Sequence, residues 1–437
     1  MASTPLPGLD AGSTLAYGTN SIGQKLRICF KLVEPPRVSR LHLQIMEEEE
    51  EAMSDLHSFD VVASYRDVLP LAMGCHISMP GYHNNYPMID YFIYRTGAGC
   101  GGCSRPSLTL LPPLGGTIAE VRDRIEAKTN GLTNQRLRRM QCLDLGVLCR
   151  GGEGEFEFAV AELEITGRHP SSTSSSPRPN LLGDGRSSTL PIVPLHCNCG
   201  RGFSLEELLF YFDADTVIPF KNYLCWVDYC FGILFCDVFD ESPKLEYLQF
   251  PSQLPKFARG SETRTWIQAY HAVGVTKGDI MKFVTVVCGK GWFPETIEPD
   301  TPDFTVTSWS LRITERENTM ESEQDAILRS SELWDLDGFA HLPRTPLQFP
   351  VISMDEPNVV YFMLEREGYG MHKKVWLVAI DMSNTTLKSS SLYMSFVEQV
   401  GDLSGDEAKY FAEQKLRFYD TFLPSEFSRY LNPLGTR

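Results

Sequence analysis

Gly97-Ala98-Gly99-Cys100-Gly101-Gly102 has the G-x-G-x-x-G spacing of a dinucleotide-binding loop, in which glycines let the backbone approach a pyrophosphate. That chemistry also needs a helix to start directly behind the loop, so that its free N–H groups meet the phosphates. Here the chain runs into Ser104-Arg105-Pro106 and a second β-type segment. The glycines therefore read as a hairpin loop, and no cofactor is expected. Cys100-x-x-Cys103 and His196-Cys197-x-Cys199 supply soft ligands of the kind zinc takes. A strong zinc signal pairs two C-x-x-C units at defined spacing, which these fragments do not, so free thiols are expected and no metal. Asp228 and Asp237 lie in or beside the most apolar segments. A buried carboxylate there serves as an acid or base if its pKa moves, or as an acceptor of backbone N–H bonds at a turn. The second role is expected. The chain has no G-x-S-x-G elbow, H-E-x-x-H helix or G-x-x-x-x-G-K-[ST] loop, and His42, His76, His83, His196, His271, His341 and His372 are scattered singly. No catalytic residue is selected.

The elements that must position these groups are β-strands. Trp226 to Pro251, WVDYCFGILFCDVFDESPKLEYLQFP, reads as two strands, a tight turn and a third strand, with 231–239 apolar enough to be buried on both faces. Asp240-Glu241-Ser242-Pro243 breaks the run with turn-forming side chains and a residue that cannot donate to a ladder. Further strands are predicted near 28–33, 41–45, 59–64, 89–95, 107–111, 145–149, 156–165, 215–219, 223–229, 245–250, 265–273, 280–288, 304–313, 348–354, 358–364, 374–380 and 385–395. This makes the chain all-β with minor helices: β-propeller-like antiparallel sheets, or alternatively a β-sandwich pair. No blade repeat is legible. Trp226, Trp266, Trp309 and Trp376 fall in strand patterns and read as core or sheet-face residues.

Three segments fall outside the pattern. Glu47 to Glu51 is a run of acids expected as a solvated loop. Residues 167–190, rich in Ser, Pro and Gly, read as a flexible insertion. Capping boxes at Thr117–Glu120 and Ser404–Glu407 predict a surface helix near 117–129 and a C-terminal helix with Phe411, Leu416 and Phe418 on its apolar edge. The organisation expected is a flexible N-terminus at 1–24, one β domain over 25–400, and a helical segment at 401–437 that packs on it.

The motif W-V-D-x-x-x-G-I-L-x-C-D-V-x-D-E-x-P-x-L-x-Y, carried by Trp226, Asp228, Gly232, Asp237, Asp240 and Pro243, resembles the signature of domain-of-unknown-function family 1618, known mainly from grasses. Tyr91-Phe92-Ile93-Tyr94-Arg95 with Pro106 to Pro112, Leu145 to Gly152 with Phe158 to Leu163, Asp215 to Pro219, and Phe349 to Asp355 extend the resemblance over roughly residues 25–400. The family has no established activity, so the resemblance implies no catalytic residue. It implies a structural role for the six signature residues and a likeness to the propeller-like domains that accompany F-box proteins, although no F-box is legible in this chain.

Composition narrows the function. Hydrophobic residues at 42% with 11% aromatics are enough for a packed core. With 40 basic and 56 acidic residues the formal charge is -16, which opposes phosphate tracking; Arg136, Arg138 and Arg139 form the best basic cluster and read as solvated side chains. The first residues lack a secretory pattern and no apolar stretch approaches the roughly 20 residues a membrane helix needs, so a soluble cytoplasmic or nuclear location is expected, with reduced thiols and an unmodified Asn384-Thr385-Thr386. The function expected is a non-enzymatic interaction scaffold that recognises a protein or peptide through its loops, with Tyr82, Tyr86, Trp292 and Phe293 as candidate contacts. The alternative is a hydrolase- or lyase-type enzyme with a site in a central channel. Neither nucleic acid nor membrane is an expected partner.

Overall fold

β-Branched and aromatic residues dominate the apolar segments, and they pair almost throughout as antiparallel ladders. The computed structural model describes residues 14–31, 40–46, 56–64, 66–77, 86–97, 105–111, 145–150, 157–166, 176–182, 192–194, 212–240, 242–251, 267–288, 303–314, 319–366 and 374–395, with Glu120, Asp123, Ser425 and Phe427. Among these residues the fold is all-β. The first sheet holds β1 (Ala16–Thr19), β2 (Lys25–Lys31) and β3 (Arg40–Ile45); the second β4 (Leu56–Val61), β5 (Val68–Ile77), β6 (Tyr86–Arg95) and β7 (Ser107–Leu110). The third holds β8 (Leu145–Arg150), β9 (Glu157–Thr166) and β10 (Ser176–Leu182). The fourth holds β11 (Ile192–Pro194), β12 (Thr216–Phe220), β13 (Tyr223–Asp228), β14 (Gly232–Asp237) and β15 (Leu245–Gln249). The fifth holds β16 (His271–Thr276), β17 (Ile280–Cys288), β18 (Phe304–Thr314) and β19 (Thr319–Arg329), and the sixth β20 (Gln348–Ile352), β21 (Val359–Arg366), β22 (Lys374–Asp381) and β23 (Thr386–Ser395). A short helix, α1 (Ser330–Trp334), joins the last two sheets.

Each sheet is built from one continuous stretch of chain, and β11 beside β15 is the parallel pair in this set. Because side chains alternate across a strand, a sheet buried on both faces sends successive residues into two different cores. The fourth sheet does this. Leu224, Trp226, Leu234 and Cys236 meet Leu148, Ala161 and Leu163 of the third sheet, while Cys225, Val227, Ile233 and Phe235 meet Val273, Met281, Phe283 and Leu311 of the fifth. The other face of the fifth sheet, through Val284, Val286 and Val306, packs on Ile352, Val360, Phe362 and Val378 of the sixth. Sheets one and two share Ile28, Phe30, Leu71 and Phe92, and sheets two and three share Ala72, Ile93, Leu145 and Val147. The sheets thus stack face to face in chain order. Phe427, far along the chain, is buried against Phe30 and Tyr94 at 5.3 and 5.8 Å between ring centroids, and Ser425 meets Ser64.

The structure departs from the sequence reading at identifiable places. Residues 265–273 were expected as one strand, but Ile267 and Gln268 are helical and β16 starts at His271, where the ladder with Thr285 begins. Ser176–Leu182 lies inside the stretch expected to be flexible yet pairs as β10 with β9. It is the edge strand, where Pro177 and Pro179 leave no interior ladder bond unmade. Strands β1, β5, β11 and β19 were not anticipated. β19 reads Thr-Met-Glu-Ser-Glu-Gln-Asp-Ala-Ile-Leu-Arg, too polar to look like a strand until it lies at the open edge of the fifth sheet. Glu120 and Asp123 are helical, in line with the first capping box; the rest of that segment, the acidic run, the arginine cluster and the C-terminal helix lie outside the described residues.

Candidate functional site

The signature residues form the signature corner of the fourth sheet, with Asp228 and Gly232 at the β13–β14 turn and Asp237, Asp240 and Pro243 at the β14–β15 turn. Trp226 is fully buried beside Leu224 and Leu234. Asp228 closes β13 with no exposed surface; its Oδ2 accepts the backbone N–H of Asp213 and its Oδ1 that of Cys230, both at 2.8 Å. Asp215 answers it one strand away, accepting the N–H of Tyr229 at 2.8 Å and Gln268 Nε2 at 3.1 Å. Tyr247 donates its hydroxyl to the carbonyl of Phe231 at 2.8 Å. Asp237 accepts the N–H of Phe239 and Asp240 that of Ser242, each at 3.0 Å, and Pro243 is half-buried in the same turn. These carboxylates hold backbone donors that the strand ends leave without ladder partners.

Beyond the corner, His271 is buried with its ring tilted 6.0 Å from Tyr229 and stacked at 6.0 Å on Phe283. Its Nδ1–H donates to the carbonyl of Ile267 at 2.9 Å. Burial lowers its pKa to about 4, so the imidazole is neutral at physiological pH. Burial likewise pushes the Cys236 thiol up to about 12 and Cys288 to about 11, and raises Cys225 well above its ordinary value. Thiols this far from ionisation are poor nucleophiles.

A cleft of about 290 Å³ opens between the fifth and sixth sheets. Lys282 stands in β17 opposite Ser310, in a strand that otherwise reads Ile-Met-Phe-Val-Thr-Val-Val-Cys. Its side chain is 7% exposed, and Nζ lies 3.1 Å from Asp325 Oδ2 and 3.5 Å from Asn358 Oδ1. Asp325 is the extra residue of a β-bulge: Ser308 pairs with Ala326 and Trp309 with Gln324, which leaves Asp325 without a ladder partner across the strand. A bulge re-aims a side chain. Here it turns the carboxylate toward Lys282 and toward the hydroxyl of Ser310, which donates at 2.8 and 2.9 Å. On the sixth-sheet side, Met382 N–H donates to Asn358 O at 2.8 Å, and Asp381 gathers Ser383 and Asn384 into the turn after β22. Burial would raise the Asp381 pKa, but the hydrogen bonds from Ser383 and Asn384 outweigh it and hold the carboxyl below its usual range.

Sequence reasoning passed over this cleft. A single cation in the middle of an otherwise apolar strand was its one available signal. Of the loop residues singled out, Tyr82, Trp292 and Phe293 lie outside the described residues, as do Cys100, Cys103, His196, Cys197 and Cys199; Tyr86 opens β6 opposite Ile77. Among the described residues no three His, Cys, Asp or Glu side chains come together as a metal site. Ser390 Oγ and His341 Nε2 are 3.5 Å apart on open surface. No described helix is long and apolar enough to cross a membrane.

The geometry defines a class, an all-β protein of stacked antiparallel sheets. Residues 226–361 match the model of a family described as "Protein of unknown function (DUF1618)", which places the signature corner, the cleft strands β17 to β19 and the entry to the sixth sheet in that family's segment. No curated protein matches. Among solved structures the chain is similar to a Mycobacterium tuberculosis puromycin-hydrolyzing peptidase, with 11% identity and a TM-score of 0.31, over 90% of this chain and 56% of that one. It is similar also to a xylan beta-1,4-xylosidase from Bacillus halodurans C-125, with 7% identity and a TM-score of 0.27, over 89% of this chain and 83% of that one. The chain spans little more than half the length of the peptidase.

Proposed function

We propose that this chain is a non-enzymatic interaction scaffold, a propeller-like frame of six sheets whose loops recognise a protein or peptide. The order of packing supports it most: each sheet faces the next in chain order from the first to the sixth. The sixth sheet is buried on its second face too, through Val359, Met363, Val375 and Ala379, as a blade within a ring is. Such a frame is rigid and sends its connections to the two ends, where recognition residues sit. The carboxylates of the signature corner are committed to backbone donors and the described buried thiols are far from ionisation, which fits a scaffold better than a catalyst. The hydrolase- or lyase-type reading is the lesser one, because the Ser310 hydroxyl is turned to a carboxylate that Lys282 already holds. A plant origin, an F-box-associated-like propeller and a cytoplasmic or nuclear location complete the proposal.

Affinity purification of the tagged full chain from plant tissue, compared with a variant carrying Tyr82→Ala, Tyr86→Ala, Trp292→Ala and Phe293→Ala, tests the reading. A specific protein recovered with the parent chain and lost with the variant is expected. Recovery of nothing above background sinks it.

A further inference from the structure

We infer that the cleft between the fifth and sixth sheets is a recognition pocket for an uncharged carboxamide, the side chain of Asn or Gln on a partner. The inference rests on the interaction reading and names the chemistry of one contact. It starts from an ion pair with capacity to spare. An ammonium has three N–H donors, and Lys282 places one on Asp325 at 3.1 Å and one, at the long limit of 3.5 Å, on Asn358. A carboxylate has about four acceptor positions, and Asp325 receives Lys282 and the single hydroxyl proton of Ser310. One donor and at least one acceptor remain, side by side, on two groups that both line the cleft.

Charge decides among ligand classes. A cation entering here meets the buried Lys282, and an anion meets Asp325 and, at the rim, Glu323; either adds an unpaired charge beside a neutralised pair. A neutral group whose acceptor and donor lie on neighbouring atoms satisfies both members at once. A carboxamide has that form: its oxygen accepts from Lys282 Nζ and its NH2 donates to Asp325. Val284, Val360 and Met382 supply an apolar wall for the methylene stem, and the volume of about 290 Å³ is near the lower end of the roughly 300–1,000 Å³ typical of ligand sites, suited to one side chain with its backbone. The bulge at Asp325 provides the aim.

Saturation-transfer NMR on the full chain, with N-acetyl-glutamine-N-methylamide as probe and the corresponding capped Glu, Lys and Leu as competitors, tests this. The expected result is a preference of at least about tenfold for capped glutamine, lost in the double variant Lys282→Met/Asp325→Leu. The double variant removes both charges together, so no lone charge stays buried, and its circular dichroism and melting curve confirm that it folds. Equal binding of all four probes overturns the inference, as does a preference that survives the double variant or glucose displacing capped glutamine. If the double variant still recovers the parent chain's partner undiminished, the cleft assignment fails while the scaffold reading stands. Glutamine-selective binding in a chain that recovers no partner sinks the scaffold reading and, with it, the cleft's role in a partner contact.

Discussion

Asp228 illustrates how a buried carboxylate serves a sheet protein without doing chemistry. It sits where β13 ends and two backbone N–H groups have no strand to bond, and it accepts both. Its place in an apolar segment showed in the sequence that it would be buried; the backbone donors around it appear only once the chain has turned. Asp228→Ala removes the buried acceptor of both N–H groups, and the unfolding free energy measured in urea is expected to fall by about 3 kcal/mol. His271 carries a different expectation, in pH. Burial lowers its pKa from the ordinary 6.5 to about 4, so on acidification the unfolded chain takes up this proton before the folded one does. The stability tied to this group is complete above the unfolded value, declines as the pH falls from 6.5 toward 4, and levels off below. The full shift corresponds to at most about 3 kcal/mol. His271→Gln should therefore flatten the change in urea midpoint between about pH 7 and pH 5 relative to the parent chain; an unaltered slope would reject the assignment.

At the scale of elements, the strands most visible in the sequence are those buried on both faces, such as β13, β14 and β17, because unbroken apolar runs leave few other conformations. Edge strands are less legible: β19 is polar and β10 contains two prolines, as an edge position tolerates, while β5 is a central strand whose apolar run is interrupted by Pro70 and Gly74. Turns separate in the same way. Gly232 opens β14 at φ 151°, and a Cβ there would lie 2.1 Å from the carbonyl oxygen of Leu248, so Gly232→Ala has to displace β15 backbone. Gly278 also has a positive φ, 88°, but has open space around it. Gly278→Ala is expected to cost about 1 kcal/mol, the conformational term alone, and Gly232→Ala at least about 3 kcal/mol, measured by chemical denaturation. Similar losses at the two sites would contradict the close approach of β15.

For the whole molecule, the informative contact joins residues distant in sequence. Phe427 is 5% exposed between Phe30 and Tyr94, so the C-terminal part of the chain returns to the first two sheets. Phe427→Ala is expected to lower stability by about 3 kcal/mol and to speed limited proteolysis near the C-terminus. Unchanged proteolysis would mean that the contact adds little to holding the C-terminal part of the chain. By itself the amino-acid sequence determined the strand-rich class, the signature corner as a turn-bounded set of buried strands, and the antiparallel pairing of the segments on either side of the Gly97–Gly102 stretch, because these depend on local periodicity and on residues near one another in the chain. Only the tertiary structure decided which sheet faces which, where the C-terminal phenylalanine docks, and that Lys282 and Asp325 meet across a bulge at the border of two sheets. Those are contacts between residues far apart in sequence, fixed by the face each side chain takes once the ladders have formed, and no local pattern encodes them.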